Sequence, residues 1–280
     1  MIHIYSGVFL RCFSYPKMLK NLKHYIRLKR LGFIGDQLGI AHRYHTEGTG
    51  WSHHLSKTGS SIISSLKDNS KNRIAILGSG WLLDIPLEKI LQLVDHIYLV
   101  DINHPKPIRH KWENNSKITF IETDVTGGGT TLFWNILKGK IDEAEALKIA
   151  LELKAGLDIP TVDLTFSVNI LSQLAHIPAE SVKDHNKLSP GIASQLVNRI
   201  QQNHLEWLQS RNGILIADFE EELYDEEDLL CGVNQLCFIS PKEWQQVDRW
   251  RWKFDSHMTY RSDFKTYLQV GLFHPVTSKK

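Results

Sequence analysis

Glycines and polar residues follow short apolar runs at two points in the first half of the sequence. The run 73–77 (RIAIL) ends in Gly78-Ser79-Gly80, and a second run ends in Asp101, 23 residues after Gly78. Glycines after a strand let the backbone approach a ligand closely, and a carboxylate about 20 residues further on accepts hydrogen bonds from ribose hydroxyls. This spacing predicts a site for a cofactor that contains a nucleoside.

Three later apolar runs also end in side chains that can do chemistry, namely Asp124, Asn169 and Asp218. In an open α/β sheet, ligands bind outside the carboxyl ends of the parallel strands. We therefore expect these three side chains to lie at one edge of the sheet, with Asp124 placed to meet an adenine amino group. A single acid after a strand is often only a turn residue or a helix cap, so the prediction depends on the ordered series.

The elements that must position these residues alternate along the chain. From residue 73 onward the apolar runs are separated by helical patterns, and two β-rich segments, 250–255 and 264–273, follow near the end. This alternation predicts an α/β fold with a mostly parallel sheet and helices on both faces. Only a short polar linker separates the two last segments, so they are expected to pair antiparallel.

The segment before residue 73 differs in charge and in pattern. Residues 1–60 carry nine Lys or Arg against two acids, whereas the net charge of the whole chain is only +2. Residues 16–32 show leucines at helical spacing between lysines and arginines, whereas residues 36–58 show no clear periodicity. We expect a basic helix whose charges are solvated on the outside of an acidic domain. An anionic partner such as RNA or a membrane surface is the alternative.

Several protein classes are disfavoured by the sequence. No apolar run is long enough to span a bilayer, and the N-terminal residues lack the basic region, long apolar stretch and cleavage site of a signal peptide. Cys12, Cys231 and Cys237 are an odd number of cysteines without metal-ligand spacing, which indicates reduced thiols. We therefore expect a cytoplasmic protein without a membrane span.

Four histidines lie close together beside Trp51. His42 and His45 would share one face of a helix, as metal ligands do, but no cysteine or acid at diagnostic spacing completes the set. No metal site is therefore predicted. Trp51, His53 and His54 are instead expected to cover the binding cavity as a lid.

The segment 218–228 holds eight acids in eleven residues. We expect it to be a solvated loop or the start of a helix after the fifth strand, with a gate for cationic substrates as the alternative. Further along, Trp250 and Trp252 occupy alternate positions and so share one face of a strand. Packing is the expected role of both, rather than stacking on a nucleobase.

Three segments together resemble the class I S-adenosylmethionine-dependent methyltransferases. They are 77–87 (LGSGWLLDIPL), 99–104 (LVDINH) and 167–174 (SVNILSQL), and they are similar more narrowly to a poorly characterised bacterial group with that fold. The resemblance covers about residues 73–273. It implies a Rossmann-like, seven-stranded, mostly parallel sheet with an antiparallel final strand. It also implies S-adenosyl-L-methionine (SAM) as cofactor and methyl transfer to an unidentified acceptor, a small molecule rather than a protein or RNA.

The same resemblance divides the chain and assigns a cofactor site. Residues 1–66 become a helical, basic extension or cap, and residues 67–280 become the methyltransferase-like Rossmann domain. The glycine loop would flank the methionine part of the cofactor, Asp101 would hold the ribose, Asp124 the adenine side, and Asn169 would lie near the reactive centre. The cofactor-binding residues implied in this way are Gly78, Ser79, Gly80, Asp101, Ile102, Asp124, Val125 and Asn169.

Two positions depart from the general methyltransferase motif. Ile76 stands where the motif has an acid, and Leu82 stands at its third glycine position. Loss of the acid removes a polar partner for the cofactor's amino group. Asp84, at the expected start of the next helix, is a candidate cap for that helix or a substitute for the missing acid.

The sequence singles out no catalytic group. The fourth strand is not followed by the Asn/Asp-Pro-Pro-aromatic sequence that methylates exocyclic amines, nor by a Pro-Cys nucleophile. Methyl transfer would therefore depend mainly on proximity and alignment. The candidates for a catalytic role are Asn169, His53 and Asp218, with His176 as a further candidate base.

Two other functions stay open. A reductase that uses NAD(P) would also hold a ribose at Asp101, but Leu83 occupies the third glycine position of its GxGxxG fingerprint. The one Tyr-x-x-x-Lys pair, Tyr25 and Lys29, precedes the glycine loop. The third hypothesis is a methyltransferase-like protein that binds a nucleotide or a partner without turnover, which the two motif departures support.

Overall fold

The computed structural model of the chain describes residues 15–67, 73–154 and 156–276. In chain order, the helices and strands of these ranges are α1 (Tyr15–Arg30), α2 (Phe33–Glu47), a 3₁₀ turn (Gly48–Trp51), α3 (Ser52–Lys67), β1 (Arg73–Leu77), α4 (Leu87–Ile90), β2 (His96–Asp101), α5 (Lys106–Trp112), β3 (Ile118–Glu122), α6 (Gly129–Leu137), α7 (Glu143–Glu152), β4 (Leu164–Val168), α8 (His176–Asp184), α9 (Pro190–Ser210), β5 (Ile214–Tyr224), β6 (Leu230–Gln235), β7 (Trp244–Asp255) and β8 (Lys265–Pro275).

The eight strands of the described residues form one sheet in the order β3-β2-β1-β4-β5-β8-β7, with β6 paired to β5. Strands β1 to β5 pair parallel with one another, whereas β6 and β8 pair antiparallel with β5, and β7 pairs antiparallel with β8. The predicted Rossmann-like sheet with an antiparallel end is therefore confirmed. Strand β6 adds one strand to the seven expected. Its residues are mostly exposed, so no alternation of apolar and polar residues marks it in the sequence.

Both faces of the sheet are covered, as predicted. Ile74 and Ile76 of β1 belong to one hydrophobic core, whereas Ala75 and Leu77 belong to another. A strand that is buried on both faces is typical of a parallel sheet between two layers of helices. Ile76, at the position of the motif acid, thus packs inside a core where an ionised carboxylate would be costly.

The order of the strands reverses between β1 and β4, because β2 and β3 lie to one side and β5 lies to the other. Ligands of open α/β sheets bind at such a reversal, beyond the carboxyl ends of the strands. Gly78 follows β1 directly, and its N–H donates to the carbonyl of Val100 at 2.9 Å. Asn169 follows β4, and its N–H donates to the carbonyl of Ile216 at 2.8 Å. The sheet therefore positions both predicted site residues at the reversal.

Residues 36–58 are almost entirely helical, which differs from the lack of periodicity in their sequence. The inward positions do recur at helical spacing. A pattern based on apolar residues does not detect them, because polar and aromatic residues occupy these positions. The buried residues of this stripe are Arg43, Glu47, Trp51, His54 and Thr58. The basic helix predicted over residues 16–32 is present as α1.

The buried stripe attaches the N-terminal helices to the antiparallel end of the sheet. The Oγ of Ser256 donates to the Glu47 carboxylate, with distances of 3.1 and 2.9 Å to its two oxygens. The indole N–H of Trp51 donates to the carbonyl of Phe254 at 3.1 Å. The Arg43 guanidinium lies 4.7 Å from the centre of the Phe254 ring. These contacts give Arg43, Glu47 and Trp51 partners in the sheet, which makes the burial of their polar groups tolerable.

The first part of the acidic segment, residues 218–224, belongs to strand β5 rather than to a loop or a helix start, whereas residues 225–228 form the largely exposed turn that follows it. Two of its acids are buried, with Asp218 3% and Glu221 1% exposed. Arg261 donates to both oxygens of Glu221 at 2.9 and 3.0 Å. This bidentate pairing balances the charge of Glu221 inside the sheet.

Trp250 and Trp252 are 4% and 5% exposed, which confirms that they pack in the core. Cys12 lies outside the described residues, whereas Cys231 is exposed and Cys237 is buried. Within the described ranges, no helix combines the length and the apolar character that a membrane crossing requires. The domain boundary after residue 66 stays a prediction.

Candidate functional site

A cavity opens at the carboxyl ends of strands β1 to β4 and is covered by α2 and α3. The N-terminal helices contribute Asp36, Gln37 and His54 to its wall. The structure therefore brings the predicted cofactor residues to one place, and their role as ligands stays a prediction. All eight of them line this cavity: Gly78, Ser79, Gly80, Asp101, Ile102, Asp124, Val125 and Asn169.

The glycine loop is tightly enclosed. Gly78 has φ +83°, and a Cβ at this position would lie 2.2 Å from Cγ2 of Ile170 and 2.5 Å from the carbonyl oxygen of Val168. Only glycine combines this left-handed backbone with so close an approach. The sequence Gly78-Ser79-Gly80 thus places backbone, rather than side chains, against the cavity.

Leu82, at the third glycine position of the motif, has φ +56°. Its backbone therefore adopts the left-handed conformation that a glycine would adopt without strain. The N–H of Leu82 donates to the carbonyl of Ser79 at 2.8 Å, which closes the turn. The loop keeps its path despite the departure in sequence, at a local cost of about 1 kcal/mol.

Asp101 links the end of β2 to the glycine loop. Its carboxylate accepts the N–H of Gly80 at 2.9 Å and the N–H of Asn103 at 3.4 Å. Burial raises the pKa of Asp101, while His104 and the backbone N–H groups of Gly80, Asn103 and Ile102 oppose that rise. The backbone thus orients a carboxylate at the cavity wall, where it can accept bonds from ribose hydroxyls.

Hydrogen bonds hold helix α2 over the glycine loop. The indole N–H of Trp81 donates to the carbonyl of Gln37 at 2.7 Å. The Gln37 amide donates to the carbonyl of Asn103 at 2.9 Å and accepts from the Asn103 amide at 2.8 Å. The tryptophan in the loop therefore ties the N-terminal helices to the strand ends, which limits the access of water to the cavity.

A second polar cluster surrounds Asn169, whose φ is +49°. Its amide nitrogen donates to Oδ2 of Asp84 at 2.7 Å and lies 3.2 Å from Nε2 of His54. The indole N–H of Trp250 donates to Nδ1 of His54 at 3.1 Å. His54 also stacks on Trp252, with ring centres 3.8 Å apart. Asp84 does not cap α4, because Pro86 occupies the N-cap position of that helix.

His54 is neutral in this cluster. Burial, together with the nearby His53, lowers the pKa of His54 to about 3. Burial raises the pKa of Asp84, against the hydrogen bond from Asn169. The cluster therefore holds an acid next to a neutral imidazole, and not an ion pair.

Three predicted candidates lie away from the cavity. His53 is exposed on the outer side of α3, because consecutive helical residues face directions about 100° apart and His54 takes the inner side. His176 is exposed at the start of α8. Asp218 is buried in β5, where Ser172 donates to its Oδ2 at 2.6 Å, and it is not part of the cavity wall. Among the catalytic candidates, only Asn169 lines the cavity.

We expect His53→Ala to leave ligand binding in the cavity and stability within about 0.5 kcal/mol of the wild type, because His53 faces solvent. The matched variant His54→Ala should lower the free energy of unfolding by roughly 2 kcal/mol, because the Trp250 indole and the Asn169 amide lose a buried partner. Urea denaturation measures both changes. A large loss of ligand binding in His53→Ala would show that this side chain reaches the cavity.

Asp218 should make stability depend on pH. Burial raises its pKa to about 7, against the hydrogen bond from Ser172. Between its ordinary value and about 7 the folded protein retains a proton that the unfolded chain has lost, so stability falls as pH rises. We expect the free energy of unfolding, relative to Asp218→Asn, to fall by about 2 kcal/mol from pH 5 to pH 7. If the free energy of unfolding depended on pH in the same way in the wild type and in Asp218→Asn, the raised pKa of Asp218 would be contradicted.

The sequence does not predict Gln37 as a cavity residue, because Gln37 lies in a segment without apolar periodicity. Asp84 is predicted only as a helix cap or as a substitute for the motif acid. Trp51 and His54 of the predicted lid line the cavity, whereas His53, which the sequence groups with them, is exposed. The spacing of Trp51, His54 and Thr58 at helical intervals is the one signal that separates the inner histidine from the outer one.

No protein-family model matches the chain, and no curated protein matches it. Among solved structures, the chain is similar to the N-methyltransferase NodS from Bradyrhizobium japonicum in complex with S-adenosyl-L-homocysteine (SAH), at 12% identity over 79% of this chain and 87% of that one, with a TM-score of 0.38. It is also similar to a 1,6-didemethyltoxoflavin-N1-methyltransferase from Burkholderia thailandensis, at 12% identity over 91% and 90% of the chains, with a TM-score of 0.42. A putative S-adenosylmethionine-dependent methyltransferase from Listeria monocytogenes is similar at 10% identity over 80% and 96%, with a TM-score of 0.36. These similarities are distant.

Proposed function

We propose that the chain is a SAM-dependent methyltransferase that acts on a small molecule. The observation that carries the proposal is the cavity at the strand reversal, where the Asp101 carboxylate accepts the N–H of Gly80 from the glycine loop at 2.9 Å. Asp124, which follows β3, and Asn169, which follows β4, also line this cavity. This ordered set matches the side chains that the sequence resemblance assigns to the cofactor.

Charge and helix position favour SAM over a nicotinamide dinucleotide. A dinucleotide-binding fold places its pyrophosphate on the N-terminus of a helix that follows the glycine loop directly. Here the next helix, α4, has four residues and begins at Leu87, seven positions after Gly80. The cavity wall carries four aspartates and, within the described part of the chain, no lysine or arginine. Such a wall suits a cationic sulfonium and opposes an anionic pyrophosphate.

The residues present fit a bound SAM. The side-chain amide of Asn169, on the cavity wall, has a buried polar atom, Oδ1, without a hydrogen-bond partner. SAM supplies a methyl group that is already activated on its sulfonium. In this proposal Asp101 accepts bonds from the ribose and Asp124 from the adenine side. Helix α2 excludes water, so the chain's main contribution is alignment.

The proposal is tested by thermal-shift titration of the purified protein with SAM, SAH, NADH and NADPH. A ligand that binds only the folded state raises the melting temperature as its concentration rises. We expect both adenosyl compounds to raise it and neither nicotinamide to do so. Stabilisation by NADH or NADPH alone would favour the reductase instead.

The second candidate function is binding without turnover, which the burial of Ile76 at the acid position favours. In that case SAH and SAM would stabilise the protein, but labelled methyl groups would not pass from SAM to any compound in a small-molecule extract. Transfer to a discrete product, detected by mass spectrometry, excludes this candidate.

A further inference from the structure

One acid of the cavity has no assigned role and no cationic neighbour. Of the four aspartates in the wall, Asp101 and Asp124 belong to the proposed cofactor site, and Asp36 lies 4.0 Å from the guanidinium of Arg43. Asp84 lies 3.9 Å from His54, which is neutral. Across the described residues, Asp84 is thus the cavity acid that has neither an assigned role nor a cationic partner.

The position of Asp84 is enclosed but open to the cavity. Its side chain is 17% exposed, and it lines the wall beside Asn169, the residue that the resemblance places near the reactive centre. An ionised carboxylate in such a place is unfavourable unless a cation or a proton neutralises it. A ligand with a positive charge would supply the counter-ion for the Asp84 carboxylate.

The hydrogen bonds around Asn169 depend on whether Asp84 carries a proton. The Trp250 indole can only donate, so Nδ1 of His54 accepts and the proton of the neutral imidazole lies on Nε2. This Nε2–H then faces the amide nitrogen of Asn169, a second donor, at 3.2 Å, while Oδ1 of Asn169 is buried without a partner. The two donors cannot bond to each other.

A half-turn of the Asn169 amide resolves this conflict. The amide oxygen and nitrogen occupy nearly the same space, so the hydrogen-bond partners decide which orientation is the more stable. After the turn, Asn169 Oδ1 accepts from His54 Nε2–H and also from a protonated Asp84, whose Oδ2 lies 2.7 Å away. With Asp84 as a carboxylic acid, both the His54 and the Asp84 contacts of Asn169 thus become donor-to-acceptor pairs, while the amide nitrogen takes the position that Oδ1 held. It is suited to stabilise a proton that arrives on Asp84.

We propose that Asp84 accepts the proton of a basic nitrogen on the methyl acceptor, which makes the acceptor a small amine. The proposal rests on the SAM-dependent methyl transfer proposed above. The acidic wall selects a cation, and Phe33, Ile40 and Trp252 on the cavity wall offer apolar surface to the rest of the molecule. An aryl or alkyl amine fits both features, whereas the acidic wall opposes a carboxylate or phosphate compound.

The transfer balances without another reactant. Asp84 takes a proton from the acceptor's ammonium group, which leaves a lone pair on the nitrogen. That nitrogen forms a bond to the methyl carbon, and the electron pair of the broken carbon–sulfur bond remains on the sulfur, which becomes neutral. The methylated amine leaves as a cation, and Asp84 leaves the step as a carboxylic acid hydrogen-bonded to Asn169.

The position of Asp84 can be tested before the acceptor is known. Sinefungin is a SAM analogue with a protonated amine on the carbon that replaces the methylated sulfur, whereas SAH is uncharged there. We expect the ratio of sinefungin to SAH affinity, measured by calorimetry, to fall at least about tenfold in Asp84→Asn. Glu88→Gln is the control, because Glu88 is exposed and pairs with Lys111 at 3.2 Å. It should keep the ratio of the wild type.

The outcomes separate this inference from the proposed function. If SAH does not bind the wild type, the proposed function fails. If SAH binds and the ratio is unchanged in Asp84→Asn, only the role of Asp84 is overturned. An equal loss of both affinities would assign Asp84 to the cofactor's own amino group, and would also overturn its role toward the acceptor.

The chemical class of the acceptor is tested on the SAH-loaded protein. Benzylamine, phenethylamine and tryptamine are each compared with a carboxylic acid of matched shape, by the rise in melting temperature. We expect a larger rise with the amines in the wild type and no such difference in Asp84→Asn. Acids that stabilise the wild type as well as the amines do, or amines that give no rise, would overturn the inference.

Discussion

Replacing Gly78 by alanine is expected to lower the free energy of unfolding by about 4 kcal/mol and to abolish SAH binding. The new methyl group would lie 2.5 Å from the carbonyl oxygen of Val168 and 2.2 Å from a methyl carbon of Ile170. Val168 ends β4, which pairs with β1 in the centre of the sheet, so this carbonyl cannot withdraw without disturbing the sheet. Urea denaturation and calorimetric titration with SAH measure the two effects.

Gly139→Ala is the matched control for backbone strain. Gly139 also has a positive φ, +63°, but a Cβ there would meet nothing within 4 Å. This variant should lose only about 1 kcal/mol and keep its affinity for SAH. An equal loss of unfolding free energy in both variants would show that the close approach of the glycine loop to β4 does not contribute to the effect of Gly78→Ala.

Asp101→Ala is expected to weaken SAH binding at least about a hundredfold, because the partly buried carboxylate that we propose holds the ribose hydroxyls is lost. The same carboxylate accepts the N–H of Gly80 at 2.9 Å, so the variant also loosens the glycine loop. Asp95→Ala removes an exposed acid at the opposite end of β2 and should bind SAH as the wild type does. Unfolding midpoints distinguish a lost ligand contact from a lost fold.

An Asp101→Ala variant that remains folded and binds SAH normally would contradict the ribose assignment. The sugar would then be held elsewhere along the cavity, and the spacing of 23 residues from Gly78 would be a coincidence of strand length. If the variant is as stable as the wild type, weaker SAH binding is due to the lost contact with Asp101 and not to unfolding.

The strand ends were predictable because their signal is local. Gly78, Asp101, Asp124 and Asn169 each follow a short apolar run, and the parallel topology that those runs imply brings their carboxyl ends to one edge. The antiparallel pairing of β7 and β8 followed from the short linker between them. The alternation of apolar runs and helical patterns therefore predicted both the parallel sheet and the position of the cavity.

The cluster around Asn169 was not predictable in the same way. Its partners Asp84 and His54 lie 85 and 115 positions away in the sequence. Whether Asp84 caps a helix or faces a cavity depends on where α4 begins, and α4 begins at Leu87 with Pro86 at its N-cap position. The helices over residues 36–58 could not be predicted from apolar periodicity, because Arg43 and other polar residues occupy their inward side.

The acidic stretch of β5 shows how long-range partners override local composition. Acids are depleted in strands, and a run of them predicts a solvated loop. Glu221 is nevertheless buried in the strand, because Arg261, forty positions later, donates two hydrogen bonds to it. Only the folded sheet brings that arginine into reach.

A crystal structure of the protein with SAH tests the central claim most directly. We predict that SAH occupies the cavity, with its ribose hydroxyls within hydrogen-bond distance of Asp101, its adenine beside Asp124 and its sulfur nearest to Asn169. The Asn169 amide should then face Asp84 beside the sulfur. SAH bound at another surface, or in this cavity with its ribose away from Asp101, would contradict the account.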